Sequence, residues 1–484
     1  MKILRKTFAV VSVLAIIAGC IGCKKNPSGD TSSEYWVYES ELVTVEKDKN
    51  NSSGADDTSS GTDNTSSGTA SGNTSGNSSG SIAGQNLTSK YKNLKGRKIT
   101  VVGWWDATQA GTEEDKLILE VEKLFNCDMV EKKLTDYKPL YTSILSGNPI
   151  CDLFVPRDTD TLSLANKNML TALDTVSTFD SKDSIWNPAA IAESTLNGHI
   201  YGMTAQASRR DMLVYNKDMF TQNGWTDLYT LSQQGKLTWD SIYDVITKAA
   251  KVDAGGNVLR YGLAPKYDLG GLAELLINMN GVAIISREGD TKTLKNTLTS
   301  APAVNALQTL RKWNTENGYM YDCTKYSWTE GVNVFKEGKA AMAIVDESQM
   351  STLKSANFTI GAVVFPHGPD TTKQTVSYTS SATVMPAGVK NPEDVILFWS
   401  VREAYNVQHR KQSIFDTLSD PSVKATYDAV KKHLWNKEYT RDFASACDID
   451  TEDFRRVAAG SKTPQEAIHS VQNVINGKIK DFWK

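Results

Sequence analysis

Histidine is scarce in this chain of 484 residues: the five present, His199, His367, His409, His433 and His469, stand at no helical spacing from one another. A histidine-built metal centre is therefore not expected, and no H-E-x-x-H occurs. The G-x-x-x-x-G-K phosphate loop and the G-x-G-x-x-G dinucleotide turn are missing too. Cationic excess is lacking: 53 Lys and Arg face 56 Asp and Glu, a net charge of −3, with no basic cluster of the kind that binds nucleic acid. No apolar run approaches the roughly 20 residues of a membrane span. Cysteine is sparse, and Cys127, Cys151, Cys323 and Cys447 lie far apart without metal-ligand spacing. Buried free thiols are the default expectation, with one disulfide as the alternative. The acidic run Asp448-x-Asp450-x-Glu452 has Asp453 where a calcium loop needs a turn glycine, so it reads as a solvated loop.

What is present begins at the N-terminus. Lys2, Arg5 and Lys6 precede a short apolar run, Phe8 to Ile17, which ends in Ile17-Ala18-Gly19-Cys20. Charge followed by apolar residues is the layout of a secretory signal. The small residues before cysteine resemble the bacterial lipobox. That resemblance implies a signal peptide over 1–20 and lipidation of Cys20, with Cys23 as a second candidate acceptor. A cleaved signal with an incidental cysteine is the other reading. The expected location is the extracellular face of the cytoplasmic membrane, lipid-anchored. Residues 21–95 form a tether rich in Ser, Gly, Thr and Asn, with a root-mean-square reach of roughly 45 Å.

Beyond the tether, strand and helix patterns alternate, which argues α/β layering. Ile99 to Val102 reads as a strand. Thr112 caps a helix that opens with Glu113, Glu114 and Asp115 and carries Leu117, Val121, Leu124 and Phe125 on one face. Ala340 to Val345 and Thr359 to Phe365 read as strands, and Thr463-Pro464-Gln465-Glu466 as a capping box. Trp104, Trp105 and Asp106 follow the first strand, where ligands of open α/β sheets sit. An indole face suits the C–H face of a pyranose, and Asp106 suits its hydroxyls. A place for both indoles in the core fits the same spacing.

Gly198-His199-Ile200-Tyr201-Gly202-Met203, then Tyr215-Asn216-Lys217-Asp218-Met219-Phe220, then Leu237-Thr238-Trp239-Asp240 follow one another along the chain. Phe335-Lys336-Glu337-Gly338-Lys339-Ala340-Ala341-Met342, Phe365-Pro366-His367-Gly368-Pro369 and Lys390-Asn391-Pro392-Glu393 come after them. In this order the chain resembles the extracellular solute-binding proteins of ABC importers, over Arg97 to Ile475, and most of all their carbohydrate-binding, maltose-binding-like branch.

The resemblance implies an α/β, two-lobed periplasmic-binding-protein-like fold with three inter-lobe crossings. These fall near Thr204 to Arg210, Tyr378 to Thr383 and Ser413 to Asp420. Lobe one would hold 96–207 and 383–415, and lobe two 210–378 and 420–484. The implied ligand residues are Trp104, Trp105, Asp106, Asp158, Arg209, Arg210, Tyr267, Trp328, Glu347 and Tyr378. Val345-Asp346-Glu347-Ser348 lacks the tryptophan that the family often uses to stack on sugar, and Trp328 is the candidate replacement. The pair Arg209-Arg210 suits either an anionic ligand or a structural ion pair. The expected function is capture of a carbohydrate, an oligosaccharide, for delivery to membrane permease subunits with cytoplasmic ATPases. No catalysis, cofactor, metal or nucleic acid is expected. The alternatives are an acidic sugar, peptide or polyamine receptor, a surface glycoside hydrolase, and a passive wall-binding protein.

Overall fold

A computed structural model describes residues 92–157, 160–205, 211–315, 319–323, 329–379, 382–409 and 418–484. Two five-stranded sheets organise these residues. In chain order their strands are β1 (Arg97–Gly103), β2 (Cys127–Lys133), β3 (Leu153–Phe154), β4 (Gly202–Met203), β5 (Met212–Asn216), β6 (Lys251–Val252), β7 (Val258–Ala264), β8 (Ala340–Val345), β9 (Ile360–Val364) and β10 (Thr383–Val384). The first sheet has the order β2-β1-β3-β10-β4 and the second β9-β5-β8-β7-β6.

The first sheet is covered on one face by α1 (Glu113–Phe125), with Phe125 against Phe398 of the long helix Pro392–His409 at a centroid distance of 5.8 Å. Ile99, Val101, Val121 and Leu153 fill that layer. Thr112 caps α1 as the sequence predicts, its side chain accepting the Asp115 N–H. The buried face differs from the predicted one: Ile118, Val121 and Phe125 are buried, while Leu124 is 37% exposed. The reason is the helix phase, which Ile118 sets and Leu124 misses by one position.

In the second sheet successive residues of β5 enter opposite cores. Leu213 and Tyr215 join the layer with Ile242 and Ile246, and Met212 and Val214 join Val332 and Val423 on the other side. Both faces are covered, which is why β8, Ala-Ala-Met-Ala-Ile-Val, is apolar throughout and wholly buried. The four described cysteines, Cys127, Cys151, Cys323 and Cys447, are buried free thiols, so none of them forms a disulfide. Burial pushes the Cys323 and Cys447 thiols up to about 12. No described helix is long and apolar enough to cross a membrane. The lipobox, Cys20 and the tether lie outside the described residues.

Candidate functional site

Strand direction decides where a site can form. β1, β2 and β3 run parallel, and β10 runs against β3 and β4. The chain therefore leaves β4 and enters β10 at the edge where β1, β2 and β3 end. In the second sheet β8 and β9 run against β5, and β7 runs with β8. The start of β5 thus shares an edge with the ends of β7, β8 and β9. β4 ends at Met203 on the first edge and β5 begins at Met212 on the second, while the strand Val376–Tyr378 precedes β10, which begins at the first. The carboxyl-terminal loops of such strands are the usual ligand position of open α/β sheets.

On the first edge Trp104 and Trp105 are half-buried and meet edge to face, 5.3 Å between centroids at 85°. Trp105 folds back over Gly103, whose added Cβ would lie 2.5 Å from the indole. Only glycine admits that ring at the strand end. Asp106 is exposed, with Lys133 of β2 3.2 Å from its Oδ1. Nearby, Glu131 accepts the Thr108 N–H at 2.6 Å.

On the second edge Tyr267 and Glu347 are half-buried. The Tyr427 hydroxyl donates to Glu347 at 3.2 Å. Between these positions the side chain of Lys266 is fully buried, its Nζ hydrogen-bonded to Asp346 and 3.2 Å from Asp211 Oδ1. Tyr378, which the resemblance places facing the cleft, is buried beside the 379–382 passage. It is 3% exposed, its ring packed 5.0 Å from Tyr439, because its strand, Val376–Tyr378, is zipped in parallel to Tyr439–Arg441. Asp158, Arg209, Arg210 and Trp328 lie outside the described residues.

A second polar cluster stands next to the 379–382 passage, since Arg441 is the register partner of Tyr378. Arg441 donates to Asp160 Oδ2 at 2.5 Å and to Glu193 Oε2 at 3.2 Å. Tyr439 donates to Glu193 at 2.7 Å, and Arg287 to the Thr195 carbonyl at 2.8 Å. Burial acts to lower the pKa of Arg441, but Asp160 and Glu193 outweigh it and hold the guanidinium above its usual range. The turn Asn197-Gly198 is clasped by Asp290, which accepts from both backbone N–H groups at 2.8 Å. Segments 160–198 and 285–441 are thereby stitched together.

Lys266, Asp211, Asp346 and Lys133 escape the sequence reading. The available signal was Lys266 and Asp346 each standing just beyond an apolar strand. Among the described residues no group of three or more His, Cys, Asp or Glu could hold a metal ion.

A family model described as bacterial extracellular solute-binding protein matches residues 138–401. No curated protein sequence matches the chain. Solved structures share its fold. The ABC substrate-binding protein from Listeria monocytogenes, in complex with cycloalternan, is 18% identical with a TM-score of 0.58, covering 80% of this chain and 99% of its own. The GacH receptor of Streptomyces glaucescens, solved unliganded and with acarbose, is 17% identical with a TM-score of 0.57, covering 80% and 99%. UgpB from Mycobacterium tuberculosis, in complex with glycerophosphocholine, is 16% identical with a TM-score of 0.57, covering 80% and 98%. These relatives are two-lobed binding proteins, and the two sheets described above correspond to that α/β architecture.

Proposed function

The chain belongs to the bacterial extracellular solute-binding proteins, and from that premise we propose that it captures an oligosaccharide between its two sheet edges and hands it to an ABC permease. One observation carries the choice of ligand. Half-buried aromatic rings, Trp104 and Trp105 on one edge and Tyr267 on the other, are accompanied by the carboxylates Asp106 and Glu347. Lys133 faces Asp106, and Lys266 lies between Asp211 and Asp346. Aromatic faces and acidic acceptors suit a polyhydroxylated, uncharged solute better than a phosphate or carboxylate. Asp158, Arg209, Arg210 and Trp328 complete the proposed ligand set. The relatives' ligands named above include saccharides, which supports the same reading.

The two halves, 96–207 with 383–415 and 210–378 with 420–484, close on the solute by bending at the passages. Lipidation of Cys20 tethers the protein outside the cytoplasmic membrane through 21–95, and the protein performs no chemistry on its ligand. Titration calorimetry with maltooligosaccharides, acarbose and glycerophosphocholine tests the assignment. Binding of a saccharide with compaction in solution scattering is the expected result. Tight binding of glycerophosphocholine alone, or release of reducing sugar from a polysaccharide, overturns it.

A further inference from the structure

We infer that Lys266 is a positioning residue for the solute site: its buried ammonium fixes the loops that carry Tyr267 and Glu347 to the start of β5. The inference rests on the reading of the cleft given above. A lysine is almost never fully buried unless paired. Here the Lys266 side chain is 0% exposed, and its partners Asp211 and Asp346 are 8% and 1% exposed. The three residues follow β7, precede β5 and follow β8, at separations of 55 and 80 residues. One cation therefore ties together the ends of three adjacent strands at the edge where the solute is proposed to bind.

Two of the ties lead to half-buried residues of the proposed ligand set, Glu347 and Tyr267. Asp346 gives Oδ2 to Lys266, while its Oδ1 accepts the N–H of Ser348 at 2.9 Å and of Gln349 at 3.3 Å. Gln349 Oε1 accepts the Asp346 N–H in return, at 3.2 Å, closing a capping box around Glu347. The Lys266 ammonium also lies 4.9 Å from the centroid of the Tyr267 ring, a cation–π distance. Gly271 is flush against that tyrosine, since an added Cβ would stand 2.6 Å from the Tyr267 Cβ. Asp211 is the residue at which the 204–211 passage enters β5.

Burial keeps Lys266 itself from touching solute, so its effect runs through Tyr267, Glu347 and the passage. Buried ion triads add little stability over apolar groups of the same shape. What this one contributes is a fixed geometry.

The test compares wild type with Asp211→Asn and with the neutral triple variant Asp211→Asn/Lys266→Met/Asp346→Asn, by hydrogen exchange and by maltooligosaccharide titration on the full chain. In the triple variant, amides at 266–269 and 346–349 are expected to exchange about tenfold faster or more, with core strands unchanged. Saccharide affinity is expected to fall about tenfold or more. Asp211→Asn keeps the Lys266–Asp346 pair and should show a smaller rise, at 211–213. It decides the matter if the triple variant does not fold. Exchange and affinity equal to wild type in a folded variant overturn the role of Lys266. If wild type takes up no saccharide, the carbohydrate reading falls, and exchange alone still decides on Lys266.

Discussion

Trp105 and Gly103 act as one unit, because the indole occupies the space a Cβ would fill. Trp104→Ala and Trp105→Ala are each expected to weaken saccharide binding by about tenfold or more, since a buried aromatic anchor is worth roughly 2 kcal/mol or more. Calorimetry on the folded variants measures this, and unchanged affinity in both removes the indoles from the site. Asp442 offers a pH test. It is half-buried and accepts N–H bonds from Ile284 at 2.5 Å, Ile285 at 3.0 Å and Ala444 at 2.9 Å. Burial outweighs these donors and pushes its carboxyl from the ordinary 3.8 up to about 6. The folded protein then holds this proton more tightly than the unfolded chain. Its contribution to stability is full below about 3.8 and is lost as pH rises through about 6. Asp442→Asn should flatten the melting temperature between those pH values, measured by scanning calorimetry. A slope identical to wild type counts against the buried carboxyl.

The C-terminal helix Pro464–Phe482 opens with a complete capping box. The Thr463 hydroxyl accepts the Glu466 N–H at 3.2 Å, and Glu466 accepts the Thr463 N–H at 2.7 Å. Thr463→Ala is expected to destabilise the protein by about 1 kcal/mol, read as a lower urea midpoint. This box, the Thr112 cap and β8 were all legible in sequence, because each depends on residues within one or two turns of the chain. The apolar stripe of α1 was legible only in part. A face spaced by three and four admits two phases, and packing on Phe398 selects the one through Ile118. The rims of the site were half legible. Trp104, Trp105, Tyr267 and Glu347 follow strands that the sequence or the family pattern marks. Lys266 with its two carboxylates was not legible, because pairing across 55 and 80 residues leaves no local periodicity. The burial of Tyr378 was not legible for a related reason: it comes from a partner strand that lies beyond it in sequence.

Arg441 joins the two halves through carboxylates 281 and 248 residues away. Arg441→Met would leave Asp160 without its ion-pair partner and Glu193 with Arg287 alone, 3.9 Å away, an effect of up to about 3–5 kcal/mol for a broken buried pair. The expected outcome is a lower melting temperature and, at temperatures where the variant stays folded, a larger radius of gyration by X-ray scattering. An unaltered scattering profile would show that the stitch does not restrain the halves.

The place of that stitch sets a mechanical ratio. Arg441 adjoins the 379–382 passage through Tyr378, whereas β1 is two strands from β10 and three from β4. On the proposed bending at the passages, Trp104 and Trp105 stand about 10–14 Å out along a lever arm whose fulcrum is near Arg441. Slack of a fraction of an ångström at the fulcrum is magnified at the tips of the jaws. Substitutions that never meet the cargo can in this way retune how firmly it is gripped.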